Sequence, residues 1–292
     1  MNEPLRHDRI VIGVPIYNEE RFVAETLASV MAQEWQDFAV LISDNASTDR
    51  TGEICQDLAA GDPRIHYVRH GENRGSAENF NYALSATESP LVMCLGGHDK
   101  IAPDFLTEHL RALAERPSCC LSYSLTQWID EKDMPIRVNN PSGLNRIVGT
   151  PLARYMKSIR RIGEATAINN VIRRSAIGVS RFSKVAGCDH VVLSELLFNG
   201  PANLVDRPLY LRREVDRRPD YMERLTGETG VEKDGTALID LYRQSHARLP
   251  ISPLARRLTR PFLESLLNER FAGRYRLPDK INFRLMRWLD LR

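Results

Sequence analysis

The stretch Ile10-Val-Ile-Gly-Val-Pro-Ile-Tyr-Asn-Glu19 decides how the rest of the chain is read. Its first five residues form a short apolar run, which suits a strand buried on both faces, and Pro15 closes it. Phe22, Val23, Leu27, Val30 and Met31 then recur at helical spacing, with Asn18 in position to cap that helix. Working outward, the alternation repeats. Phe38–Ile42 reads as a second strand, and Thr51–Ala60 as a helix ended by Gly61-Asp-Pro63. Ile65–Val68 is a third strand, Ala77–Ala86 a helix, and Leu91–Leu95 a fourth strand. Pro103 suits a first helical position before Phe105, Leu106, Leu110 and Leu113; Pro117 stops that helix, and Cys119–Tyr123 is a fifth strand. Strands alternating with helices predict an α/β fold with a mostly parallel sheet, and right-handed crossovers put every strand's carboxyl end on one rim.

Past Gln127 the rhythm is lost. Asp130–Pro151 is polar and rich in Asn, Pro and Gly, and predicts a mobile loop. Pro151–Ile159 and Asp189–Phe198 read as helices, Leu204–Leu211 as a strand, and the chain from Pro253 as helix with breaks at Gly273 and Pro278. The length of 292 residues allows one large domain or two small ones, and the 42% apolar content excludes a disordered chain. Net charge is only +2, which argues against a globally basic nucleic-acid binder. That average hides a division: residues 254–292 hold ten basic and four acidic residues, a net of +6, which leaves −4 over residues 1–253.

Five cysteines, Cys55, Cys94, Cys119, Cys120 and Cys188, have no C-x-x-C spacing, which argues against a disulfide framework and a thiolate zinc site. Nothing at the start resembles a signal segment, and no window reaches the ~18 apolar residues of a membrane span. The expectation is a cytoplasmic protein, peripheral on the inner face of the membrane if its tail binds lipid. In that tail Leu254–Leu258, Phe262–Leu267 and Phe283–Leu291 interleave with Arg256, Arg257, Arg260, Arg284, Arg287 and Arg292. This is the pattern of a basic amphipathic helix on an anionic surface, or else of helices packed back on the core with their arginines in water.

Ligands of open α/β sheets bind beyond the strands' carboxyl ends. Here those ends carry Pro15–Glu19, Ser43–Asp49, Arg69–Gly75 and Gly96–Asp99. No glycine-rich phosphate fingerprint follows the first strand, so a dinucleotide dehydrogenase or a P-loop enzyme is disfavoured. Pro15-Ile-Tyr-Asn-Glu19, Asp44-Asn-Ala-Ser-Thr-Asp49 and Asn73-Arg-Gly-Ser-Ala-Glu-Asn79, collinear over residues 9–125, resemble the successive motifs of the family 2 inverting glycosyltransferases of bacterial surface-polysaccharide type. A weaker likeness continues through Asp189–Leu193, Gly200 and Pro208–Arg213.

The resemblance implies a GT-A fold with residues 1–215 as the catalytic domain: 9–125 for the nucleotide sugar, 126–215 for the acceptor, and 216–292 as a helical basic extension. It implies a nucleotide-sugar donor, probed first as UDP-sugar, and a glycan or lipid-linked acceptor. Pro15, Tyr17, Asn18, Glu19, Asp44, Asn45, Asn73, Arg74, Gly75, Asn79, His98 and Asp99 would line the nucleotide-sugar site, with Asp44 reading the base edge and Arg74 meeting the diphosphate. Ordinary alternatives stand beside these roles. A carboxylate at a strand end accepts turn N–H bonds, Asp49 can cap the next helix, and Asn73–Gly75 can be a plain turn.

The family's Asp-x-Asp metal pair is degenerate in Leu95-Gly-Gly-His-Asp-Lys100, where Gly96 and His98 take the acidic positions and Asp99 remains. Mn²⁺ or Mg²⁺ would then rest on Asp99 and His98. Some relatives carry a further metal-binding His after the strand ending near Arg213, where this chain reads Arg212-Arg-Glu-Val-Asp-Arg-Arg218. Asp189, in a small-residue turn before a helix, is the candidate catalytic base, or else a helix-capping carboxylate. The loss of one acid keeps open a non-catalytic domain that binds nucleotide sugar or glycan, and a sugar nucleotidyltransferase is a further alternative.

Overall fold

The computed structural model describes residues 4–140, 143–178, 180–215 and 235–271. The breaks expected at Gly273 and Pro278, the Phe283–Leu291 segment and Asp216–Arg218 lie outside them.

In chain order the elements are β1 (Leu5–Arg6), β2 (Ile10–Ile16), α1 (Val23–Met31), β3 (Ala39–Asp44), α2 (Thr51–Gly61), β4 (Ile65–Arg69), α3 (Ser76–Ser85), β5 (Thr87–Glu88), β6 (Leu91–Cys94), β7 (Lys100–Ile101) and α4 (Phe105–Glu115). There follow β8 (Leu121–Ile129), β9 (Pro135–Asn139), α5 (Pro151–Arg161), β10 (Val171–Arg173), α6 (Arg174–Ile177), α7 (Cys188–Asn199), β11 (Ala202–Arg213), α8 (Gly235–Arg248) and α9 (Pro253–Phe271). The main sheet has the order β4-β3-β2-β6-β10-β8-β11-β7, with β9 on β8; β1 and β5 form a separate parallel pair.

β4, β3, β2 and β6 pair in parallel, as their buried apolar runs predict. β8 runs in the same direction, yet it does not touch β6: the three-residue β10 lies between them, antiparallel to both. β2 and β3 are buried along their whole length because helices cover both faces. On one side α1, α2 and α4 pack Val23, Leu27, Cys55, Phe105 and Leu106 against Ile10, Ile12, Val40 and Ile42. On the other, Val192, Leu193, Leu196 and Leu197 of α7 pack with Val92, Leu121 and Ile172. A third cluster joins α5 and α7 to α8 and α9, with Tyr155, Met156, Ile159, Tyr242, Phe262, Leu263 and Leu267 buried together. The first half of the basic tail is thus packed on the body through one of its faces.

Two local expectations are corrected. Asn18 does not cap α1; the capping position is Phe22, and no side chain bonds there. Asn18 takes φ 55°, a left-handed turn that Asn tolerates, and points its side chain at the next loop. The expected loop Asp130–Pro151 is largely structured. Asp130 Oδ1 accepts from the N–H groups of Lys132 and Met134, both 2.8 Å, and this turn returns the chain as β9 against β8. Leu144 and Ile147 then plug into the core with no exposure, which fixes the segment before α5.

Candidate active site

The carboxyl ends of β2 and β3 are stitched together by side chains. The Asn18 N–H donates to Ser47 Oγ at 3.0 Å, and Thr48 N donates to Asn18 Oδ1 at 2.8 Å. Glu19 N donates to Thr51 Oγ1 at 2.8 Å. Asp49 accepts from Thr51 N at 3.0 Å and from Glu20 N at 3.3 Å; it precedes Arg50, which takes the capping position of α2, and ties the start of that helix to the first loop. Ala46 at φ 62° makes the turn between them.

Asp44 has no exposed surface. Its Oδ1 accepts from Ser47 N at 2.8 Å, its Oδ2 accepts from Tyr67 Oη at 2.7 Å, and Arg69 Nε lies 3.5 Å away. Burial and the neighbouring carboxylate push the Tyr67 hydroxyl far above its ordinary pKa, so it stays a donor. Both Asp44 oxygens are therefore engaged by the protein itself, the turn-fixing alternative open to a strand-end carboxylate. Sequence reasoning passed over Tyr67 because an aromatic in a strand normally signals packing.

Asn45 and Asn73 join the second and third loops. Asn45 Nδ2 donates to Asn73 Oδ1 at 2.6 Å and to the Gly75 carbonyl at 3.2 Å, while Arg74 N donates to Asn45 Oδ1 at 3.0 Å. Gly75, at φ 83°, needs the freedom of glycine to turn the chain into α3. Asn79, one turn into α3, points inward: its Nδ2 donates to the Ser43 carbonyl at 2.9 Å and the Ile16 carbonyl at 3.2 Å. Arg74 is exposed at the mouth of a cavity of about 390 Å³ shared with Asn45, His70, Asn79 and Arg181. Burial, then the nearby Arg74 charge, lowers the pKa of His70, which lies 3.0 Å from Ser43 Oγ.

The Gly96–Asp99 turn meets this rim from β6. A Cβ on Gly97 would stand 2.7 Å from Ile16 Cγ2 and 2.8 Å from Glu19 Cγ, so the close approach of the two loops requires glycine. His98 Nδ1 lies 3.1 Å from Glu19 Oε1. Asp99 is buried; its Oδ2 accepts from Tyr210 Oη at 2.6 Å and its Oδ1 from Arg213 N at 3.0 Å. Burial, followed by the Asp99 carboxylate, drives the Tyr210 hydroxyl well above its usual pKa. Arg213 contributes no loose positive charge. Its guanidinium is buried between Glu25 at 2.8 Å and Asp133 at 2.9 Å, over the Phe22 ring.

Among the described residues no group of three or more His, Cys, Asp or Glu can hold a metal ion. Asp99 Oδ1 and His98 Nε2 are 4.0 Å apart, within the span of roughly 4.2 Å that two ligands about 2.1 Å from one ion can reach. This oxygen and nitrogen pair cannot hold a divalent cation by itself; further ligands would have to complete the shell.

Asp189 lies in the first turn of α7, after Gly187 at φ 84°, and its Oδ1 accepts from His190 N at 3.0 Å. It lines a cavity of about 530 Å³ with Ser76, Ala77 and Phe80 of α3, Glu164, Asn169, Phe182, Arg212 and Leu238. Asn73–Gly75 leads directly into α3, so the loop rim and the Asp189 cavity share the start of that helix. Phe80 and Phe182 face each other at 5.2 Å, and Arg212 is held by Thr166 Oγ1 at 2.7 Å and by the Trp128 ring. Phe182, Glu164 and Leu238 come from segments with no motif, and only their position in space reveals them.

Residues 11–147 match the family model described as glycosyl transferase family 2. A Bacillus subtilis protein named as a candidate teichuronic acid biosynthesis glycosyltransferase, TuaG, is 36% identical over 115 residues, which is 39% of this chain and 45% of that protein. A teichoic acid poly(glycerol phosphate) polymerase of Staphylococcus epidermidis is 31% identical over 104 residues, 35% of this chain and 14% of its own length. The match thus spans less than half of either relative. In structure, residues 1–349 of S. aureus TarS in complex with UDP-GlcNAc superpose with a TM-score of 0.67 at 16% identity, over 91% of this chain and 74% of that one. A mannosyltransferase from Pyrobaculum calidifontis, in complex with GDP-Man and Mn²⁺, gives 0.56 at 17% identity over 100% and 84%. The structural likenesses give the fold, the GT-A arrangement of a central sheet flanked by helices. Residues 11–147, just under half of the chain, are thus similar to glycosyl transferase family 2, and the fold agrees with that likeness.

Proposed function

We propose that the chain transfers a sugar from a nucleotide-diphosphate donor, UDP-linked, to an acceptor hydroxyl with inversion, in the making of a cell-surface polysaccharide or glycoconjugate. The observation that carries this reading is the convergence of four loops, Pro15–Glu19, Asp44–Asp49, Asn73–Gly75 and Gly96–Asp99, beside a cavity that contains the Asp189 carboxylate. UDP-GlcNAc in the TarS structure and the surface-polymer names of the relatives support the donor and the pathway class.

In this reading Tyr17, Arg74 and the loop anchored by Asp44 hold the nucleotide, with Pro15, Asn18, Glu19, Asn45, Asn73, Gly75 and Asn79 fixing the walls. Asp189 accepts the acceptor hydroxyl's proton as the new oxygen–carbon bond forms and the bond from the anomeric carbon to the diphosphate breaks on the opposite face. Arg74 meets the charge left on the diphosphate. Asp99 and His98 would hold Mn²⁺ or Mg²⁺, which when bound neutralises the leaving group.

A panel of UDP-, GDP- and dTDP-sugars with Mn²⁺, read by nucleotide release, tests the reaction. Asp189→Asn is expected to lower turnover by about 10²–10⁴-fold while nucleotide affinity, measured by calorimetry, stays unchanged. The single acid at positions 96–99 favours a second reading, a domain that binds nucleotide sugar without turnover. Binding without release by the unaltered chain decides for it, and pyrophosphate formed from NTP and sugar phosphate decides for a nucleotidyltransferase.

A further inference from the structure

α9 has two faces with different demands. Thr259, Phe262, Leu263 and Leu267 are buried in the cluster shared with α5 and α8. On the opposite face of its first turns, Leu254 is 65% and Leu258 45% exposed, and Arg257, Arg260 and Pro261 are exposed with them. Positions 254, 257, 258 and 261 follow the i, i+3, i+4, i+7 pattern, so they form one stripe along the helix. Neighbouring arginines are engaged: Arg243 with Asp240 and Glu264, Arg248 with Glu195, Arg256 with the Leu249 carbonyl. Arg257 and Arg260 enter no ion pair among the described residues. Core packing explains neither the two leucines nor the two arginines.

We propose that this stripe docks the protein on an anionic lipid bilayer. Leucines interleaved with arginines on one helical face suit the boundary between acyl chains and headgroups, where apolar side chains leave water and guanidinium groups meet lipid phosphate. The charge is complementary: residues 254–292 carry a net +6 while the remainder of the chain carries −4. The same helix reaches the candidate acceptor cavity. From Arg257 to Arg270 is about 20 Å along its axis, and the Arg270 guanidinium bonds the Ile159 and Ile162 carbonyls and lies 3.4 Å from Nδ1 of His190, the neighbour of Asp189. The purpose of the surface, presenting a lipid-borne acceptor hydroxyl, rests on the glycosyl-transfer reading. The binding itself does not.

The test is co-sedimentation of the full chain with phosphatidylcholine vesicles, with and without phosphatidylglycerol as about one lipid in three. The unaltered protein is expected to pellet with the anionic vesicles only, and high salt to release it. Leu254→Ser with Leu258→Ser, and separately Arg257→Gln with Arg260→Gln, are each expected to lower the vesicle partition coefficient at least tenfold, the arginine pair by about fivefold per residue, with unchanged thermal unfolding. The proposal is overturned if the unaltered chain stays in the supernatant with anionic vesicles. It is equally overturned if both double variants pellet like the unaltered chain, since binding then belongs to another part of the molecule. Nucleotide release without vesicles is measured on the same samples. Vesicle binding without release leaves the docking surface standing and removes the transferase reading; release without vesicle binding does the reverse.

Discussion

Asp44 and Asn79 show what individual residues disclosed and withheld. Asp44 stood out in the sequence as a carboxylate ending an apolar strand, and Asn79 only because the Asn73–Asn79 stretch resembles a motif of the family. The residue types do not reveal the direction of use. Asp44 spends its oxygens on Ser47 N and Tyr67 Oη, and Asn79 ties two strand carbonyls to α3, so each braces the loops of the candidate site. Asp99 is likewise held by Tyr210 and the Arg213 backbone, partners that lie more than a hundred residues downstream and carry no local signal. Outside the site, His109 is fully buried against Phe105, with Nδ1 2.8 Å from Ser122 Oγ, and burial pulls its pKa down to about 3. A histidine that titrates lower when folded than when unfolded contributes fully above pH ~6.5, and that contribution is lost as the pH falls toward the folded value. Urea unfolding is expected to show a His109-dependent loss of about 2 kcal/mol between pH 7 and pH 5, and His109→Gln a flatter profile over that window.

At the scale of elements, the period of the sequence was informative wherever a strand was apolar on both faces or a helix had one buried stripe. β2, β3, β4 and β6 and the helices between them follow from that pattern to within a few residues. β10 was illegible because three residues, Val171–Arg173, carry no period, and their place is set by open edges on either side. β9 was hidden by its composition: a strand exposed along its length has no core face to write into the sequence. The β8–β11 pairing depends on one small residue. A Cβ on Gly200 would lie 2.8 Å from Cys120 Cβ and 2.9 Å from both Cys120 N and the Ser118 carbonyl oxygen, backbone atoms that cannot move aside. Gly200→Ala is expected to cost about 1–3 kcal/mol through overpacking, seen as a lower denaturation midpoint. Gly61→Ala, where nothing lies within 4 Å, is the control and should leave the midpoint unchanged or slightly raised.

For the molecule as a whole, the split between an acidic body and a basic tail takes a more definite form. The charge asymmetry is a property of the sequence, and α9 is attached to the body by an apolar face, the packed-back arrangement that the sequence left open beside the lipid-binding one. Leu267, with no exposure, sits in that face. Leu267→Ala is expected to destabilise the protein by about 2–5 kcal/mol, measured by urea unfolding, and Leu254→Ala, on the exposed side, to leave stability within error. No helix among the described residues is long and apolar enough to cross a membrane. The insertion of β10 between β6 and β8 bears on how such a chain is made. Residues 11–147 mark where kinship is legible, yet the sheet they supply stays split until Val171–Arg173 has left the ribosome. Before that moment the facing edges of β6 and β8 are both unpaired, and the far edge of β8 waits longer still, for β11; open edges of this kind are where sheets pair with the wrong neighbour. The shortest length that inheritance recognises and the shortest length that a growing polypeptide can safely close are therefore different, and translation has to carry the protein across the interval between them.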